Sequence, residues 1–174
     1  MNVAGIPTLQ TARLVLRGAT RADFEPFAAM LAEPRTRYMG GPFDREGAWF
    51  WFASALANWS LDGCGGWIVT DTSDGHFLGD VSIMQPGHFP EREIGWTVTA
   101  AAEGRGIATE AARTALDWYW GHSEAESLVS YVDPANTRSH ALARNLGATP
   151  DPDAPLPEGE SPAETMVYRH RRPQ

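Results

Sequence analysis

Residues 93–120 read EIGWTVTAAAEGRGIATEAARTALDWYW, and the way this run divides decides the fold. The first seven residues, with β-branched and aromatic side chains, predict a strand. Positions 107, 108, 111, 112, 115, 116 and 119 are apolar and lie on one face of a helix. Between them is a bend containing Gly104 and Gly106. A helix start leaves backbone N–H groups unpaired and carries partial positive charge, so a glycine-rich turn feeding it suits a pyrophosphate. Such a turn is also often nothing more than a turn. A P-loop is excluded because the chain has no lysine. A dinucleotide fingerprint needs a third small residue three positions after Gly106, where Thr109 and then Glu110 stand.

Upstream, Arg13 to Arg17 predicts a short strand. Thr20 is a plausible cap for a helix through Phe24, Phe27, Ala28 and Leu31. Asp44 caps a second helix to about Asp62 whose Trp49, Phe50, Trp51, Phe52, Leu56 and Trp59 are too aromatic for a solvated face; they pack in the core or wall a ligand. WIVTD from Trp67, HFLGDVSIM from His76 and EIGWTVT from Glu93 make an antiparallel meander, which is wrong for a doubly wound sheet. Downstream come a strand at Ser127 to Asp133, a helix at Asn136 to Leu146 stopped by Gly147, a loop rich in proline and carboxylates over 150–164, and a last strand from Thr165 to His170.

The 174 residues, 43% hydrophobic, fit a single domain spanning 1–174. No run approaches the roughly 18 apolar residues of a membrane span, and the N-terminus lacks the order of a signal peptide, so a cytoplasmic location is expected with no membrane partner. A net charge of −8 argues against nucleic acid as a partner. The lone Cys64 can form no internal disulfide, and the scattered histidines, with no cysteine pair beside them, predict no metal site. His140 is expected on an exposed helix face.

GRGIATEA after EIGWTV, followed by NTRSHALARNLGA, resembles the coenzyme-binding core of the GNAT superfamily of N-acetyltransferases. The opening TARLVLRGATRADFEPF and the closing VYRH resemble its RimJ/RimL-like branch, which acetylates ribosomal-protein N-termini. The resemblance covers nearly the whole chain. It implies an α+β fold: a mixed, mostly antiparallel sheet of about six to seven strands, with splayed parallel fourth and fifth strands, flanked by about four helices. It also implies acetyl-CoA as co-substrate and an amine acceptor: a peptide N-terminus, a polyamine or an aminoglycoside-like amine. Either a monomer or a homodimer fits.

The same resemblance implies residue roles. The family's Q/R-x-x-G-x-G/A loop falls on Glu103 to Ala108, so Gly104 and the amides of Arg105, Gly106, Ile107, Ala108 and Thr109 would hold the pyrophosphate. Glu103 departs from the pattern. The backbone of Trp96, Thr97, Val98 and Thr99 would pair with the pantetheine amides like an added strand, and Asn136 would bond the coenzyme arm. An ammonium must lose a proton before it attacks, and Glu93 is the candidate base, with Asp80 next; a solvated or salt-bridged strand carboxylate is the competing reading. A backbone N–H near Val98 would polarise the carbonyl. Many relatives protonate the thiolate with a tyrosine seven residues after the asparagine, where this chain has Ala143, so Ser139 becomes the donor. The missing tyrosine also keeps open a noncatalytic acyl-CoA-binding module on the same scaffold.

Overall fold

The computed structural model describes residues 5–174. One sheet organises them: β1 (Leu9–Gln10), β2 (Leu14–Arg17), β3 (Gly66–Asp71), β4 (Phe77–Met84), β5 (Glu93–Val98), β6 (Ser127–Val132), β7 (Thr149–Pro150) and β8 (Met166–Arg171). The strand order is β1-β2-β3-β4-β5-β6-β8-β7, and the β5–β6 pair alone is parallel. The helices are α1 (Phe24–Leu31), α2 (Arg45–Asp62), α3 (Ile107–His122) and α4 (Thr137–Asn145). The expected architecture is present, with eight strands rather than six or seven. The additional ones, β1 and β7, are two residues long, too short for a period to show.

The sheet buries both faces. Phe24, Phe27, Met30 and Leu31 of α1, with Ala48 and Phe52 of α2, cover Ile68 and Phe77. On the other face Ile107, Ala111, Ala112, Ala115, Leu116 and Tyr119, the stripe of α3, cover Trp67, Val69, Val81, Ile83 and Ile94. A smaller cluster of Val132, Ala143, Ala148 and Tyr168 seats α4, with Trp96 packed against it.

Local signals set the helix ends. Asp44 accepts from the Gly47 N–H at 2.8 Å, and Gly63 ends α2 in the left-handed region. The aromatics of α2 divide: Phe52 is buried, Trp59 meets Trp67 and Trp118 edge-on, and Trp49 and Phe50 remain exposed. Thr20 precedes a 3-10 helix, Arg21–Asp23, that leads into α1. Asp23 accepts from the Thr20 N–H and hydroxyl and holds Arg17, whose guanidinium keeps the Asp23 carboxyl below its usual range against the opposing effect of burial.

Candidate active site

The parallel pair meets at a single position, Glu93 opposite Val129, where the Val129 N–H donates to the Arg92 carbonyl at 2.9 Å. Beyond it side chains replace the ladder. The Tyr131 N–H donates to Glu93 Oε1 at 3.2 Å, and the Ser130 hydroxyl donates to the Ile94 carbonyl at 2.8 Å. Ser130 is itself buried against His170 Nε2 at 3.0 Å, and burial lowers the His170 pKa to about 4, so His170 is neutral at pH 7. These substitutions let β5 and β6 part. They leave a V-shaped gap with Glu93 at its closed end and the backbone of Trp96, Thr97, Val98 and Thr99 along one wall.

At the open end the chain turns through the 3-10 helix Ala100–Ala102 into the bend. Gly104 and Gly106 have φ of 71° and 76°, left-handed values that side chains resist. Gly106 is the N-cap of α3 and has no side chain to cap it; the first ladder bond runs from the Glu110 N–H to the Gly106 carbonyl. The amides of Ile107, Ala108 and Thr109 therefore have no intrahelical acceptor. Arg13 Nη1 donates to the Arg105 carbonyl at 3.1 Å, and Arg13 and Thr11 both bind Glu110. This tether fixes the carbonyl side of the bend and leaves its amide side free. Sequence reading treats Arg13 as the polar end of a strand, because nothing local links positions so far apart in the chain.

The other wall follows β6 into α4. Asn136 caps α4: its Oδ1 accepts from the Ser139 N–H at 3.2 Å, which leaves its amide N–H groups to donate elsewhere. Ser139 is half-buried in the first turn. His140 is not the exposed residue expected; it is 7% exposed. Its Nε2 lies 3.2 Å from the Pro134 carbonyl and its Nδ1 3.1 Å from the Tyr168 hydroxyl. A carbonyl can only accept, so Nε2 carries a proton and donates to Pro134. Ala143 is fully buried against Tyr168 and Val132.

The two candidate bases occupy different surroundings. Burial pushes Glu93 up to about 7, the nearby Glu160 adds to this, and the Tyr131 amide opposes it. Arg169 on β8 cannot relieve it, being held by both oxygens of Glu91 at 2.7 and 2.8 Å and by Asp151 at 2.5 Å. Tyr131 stacks edge-on against Phe89, and its hydroxyl is buried without a hydrogen-bond partner among the described residues. The acidic 150–164 segment reaches this side, where the Glu158 N–H donates to the His88 carbonyl at 3.0 Å.

Asp80 lies opposite Thr97 but is 5% exposed beneath α1 and α2, beside a small cavity lined by Phe27, Phe52, Leu56 and Ile68. Burial alone raises it to about 7, and its Oδ1 has no partner among the described residues. Because its folded pKa exceeds the unfolded value, the folded state holds a proton that the unfolded state releases above about 4. Stability therefore falls as pH rises from about 4 to 7 and is level above that. Asp80→Asn is expected to raise the melting midpoint at pH 8, by the equivalent of about 1–3 kcal/mol, and to have a much smaller effect at about pH 4, where the unfolded carboxyl also keeps its proton. Melts at the two pH values test this; an equal shift at both would remove ionisation as the cause.

Among the described residues, no group of three or more His, Cys, Asp and Glu side chains is placed to hold a metal, and no described helix is long and apolar enough to cross a membrane. Cys64 is buried, which pushes its thiol pKa up and quenches its reactivity.

The family described as Acetyltransferase (GNAT) domain matches residues 13–149. The crystal structure of an acetyltransferase from Agrobacterium tumefaciens strain C58 superposes with a TM-score of 0.90 at 40% identity, covering 97% of this chain and 96% of that one. RimL, a ribosomal L7/L12 alpha-N-protein acetyltransferase in complex with coenzyme A, shares the fold with a TM-score of 0.76 at 14% identity, covering 95% and 98% of the two chains. The Bacillus subtilis (strain 168) protein YkkB is 32% identical over 83 residues, a match spanning 47% of this chain and about half, 48%, of that relative.

Proposed function

Because this chain belongs to the acetyltransferase (GNAT) family, we propose that it transfers an acetyl group from acetyl-CoA to a primary amine by direct attack in a ternary complex. The observation that carries this is Glu93: a carboxylate raised to about 7, at the closed end of a gap whose open end presents free amides. A base of that pKa is about half ionised at pH 7, and its ionised fraction takes a proton from an ammonium more readily than an ordinary carboxylate would.

The amides of the 105–109 bend hold the diphosphate. The unpaired edge of β5 from Trp96 to Val98, continued by Thr99, accepts the pantetheine arm as an added strand, and the Asn136 amide donates to it. Glu93 removes the amine's proton, directly or through water. The amine nitrogen attacks the thioester carbon, with the carbonyl oxygen facing a backbone N–H near Val98. As the tetrahedral intermediate collapses, the carbon–sulfur bond breaks, and the Ser139 hydroxyl relays to the departing thiolate the proton that the attacking nitrogen sheds. Ser139→Ala is expected to lower kcat about 10²-fold with coenzyme affinity unchanged, measured by thiol release and calorimetry.

The acceptor we infer is a cationic amine, either a peptide or protein N-terminus or a small polyamine-like molecule. Glu160 and the 150–164 segment set negative charge beside Glu93, which favours a cation. RimL, whose name gives it a protein N-terminus as substrate, shares the fold. Thiol release from acetyl-CoA, screened against N-terminal peptides, polyamines and aminoglycosides, tests the proposal: steady turnover with a cationic amine supports it. Ala143 in the family's tyrosine position favours a second reading, a coenzyme-binding module without catalysis. Calorimetric binding of coenzyme A with no thiol release across the panel would establish that instead.

A further inference from the structure

Glu103 stands where the family's coenzyme loop begins with glutamine or arginine, and it binds two arginines. Its Oε1 accepts from Arg35 Nη1 at 2.5 Å, and its Oε2 lies 2.5 Å from Arg138 Nη1. Arg35 belongs to the 3-10 helix Pro34–Met39, which lies over β5 through the contact of Met39 Sδ with the Thr97 hydroxyl at 3.7 Å. Arg138 belongs to the first turn of α4, across the gap, next to Ser139. Three elements distant in the chain thus converge on one carboxylate at the open end of the V. Glu103 is also the residue that leads into the bend through Gly104 to Gly106.

Arg35 has a donor to spare. Its side chain is 20% exposed, and its Nε is paired with Glu33 Oε2 at 2.6 Å. Its Nη2 is buried with no hydrogen-bond acceptor among the described residues. A guanidinium carries five N–H donors in a fork suited to phosphate oxygens. Arg35 therefore keeps its Nη2 for an anion, and Arg138, 75% exposed, is free to reorient toward one.

We propose that Glu103 is a built-in surrogate for the coenzyme's phosphates: it holds Arg35 and Arg138 across the mouth of the gap and yields both guanidiniums to the phosphates when the coenzyme seats. The inference rests on the coenzyme site described under Proposed function. Two consequences follow from charge. The surrogate keeps the arginines close to where they are needed, and its own negative charge opposes the arriving phosphates. Glu103 thereby limits affinity and speeds departure of the spent coenzyme, whereas the family's glutamine or arginine would not repel the phosphates.

Calorimetry with coenzyme A on the wild-type chain, Glu103→Gln and Arg138→Gln tests this, alongside KM for acetylpantetheine, a donor that lacks the phosphates. Glu103→Gln is expected to bind coenzyme A about 3- to 5-fold more tightly and Arg138→Gln about 3- to 5-fold more weakly, the scale of one exposed charge pair. Acetylpantetheine KM stays constant across all three. Coenzyme affinity unchanged or weakened in a folded Glu103→Gln, or an acetylpantetheine KM moving by the same factor, overturns the proposal. If Glu103→Gln does not fold, an unchanged affinity in Arg138→Gln overturns it, because that exposed side chain can be replaced without disturbing the core. A wild-type chain that binds no coenzyme A removes the site itself; one that binds while the variants do not separate removes this inference alone.

Discussion

Glu93→Gln is expected to lower turnover by about 10²- to 10⁴-fold while leaving coenzyme A affinity unchanged. Glutamine keeps the shape of the side chain and an oxygen to accept the Tyr131 N–H, so the sheet stays closed where β5 and β6 meet, and only the proton acceptor is lost. The pH dependence gives an independent signature. With the carboxyl at about 7, the rate of the wild-type chain rises with pH below that value and levels above it. The glutamine variant lacks this limb. Asp80 also titrates at about 7 but beneath α1 and α2, so Asp80→Asn keeps the limb and changes the melting behaviour instead. Steady-state rates from pH 5.5 to 9 on the three proteins separate the two carboxylates. A Glu93→Gln protein with the wild-type rate and limb would remove Glu93 from the chemistry.

Gly79→Ala is expected to cost stability on the order of 3 kcal/mol or more, lowering the melting midpoint by roughly 10 °C. A Cβ at Gly79 would stand 2.1 Å from the Thr97 carbonyl oxygen and 2.7 Å from the Val98 Cα. Both are backbone atoms of the paired strand, which cannot swing aside as a side chain would. The φ of 154° at Gly79 adds strain to any substitution. Relief requires β4 and β5 to move apart at Thr97 and Val98, the segment proposed to carry the pantetheine arm, so coenzyme binding weakens along with stability. Thermal melts with coenzyme A calorimetry measure both. A melting midpoint within about 2 °C of wild type would show that the strands accommodate the methyl group.

The run from Glu93 to Trp120 was legible because each part of it follows one physical rule. β5 carries strand formers, α3 an apolar stripe, and the bend two left-handed glycines. Asp44 and Gly147 marked their helix ends for the same reason: a cap and a left-handed stop act within a few residues. What could not be read depends on distant partners. His140 looks like a surface residue in sequence, and its burial comes from Tyr168 on β8. Arg13 and Glu110 meet through the docking of α3 on β2, with no local sign of the contact. Glu93 and Asp80 are alike as carboxylates on neighbouring strands. Glu93 lies at the edge where a strand partner is lost, and Asp80 sits under two helices, a distinction that only the packing draws.

The hydrogen bond from the Tyr131 amide to Glu93 links the ionisation of one side chain to the mechanics of the sheet. An ionised carboxylate accepts more strongly than its neutral acid. The junction of β5 and β6 is thus firmest while Glu93 is ionised, and it slackens once the carboxyl is protonated. In the proposed reaction each turnover tugs and releases the apex of the V, and discharging the proton to solvent tightens it again before another amine is deprotonated.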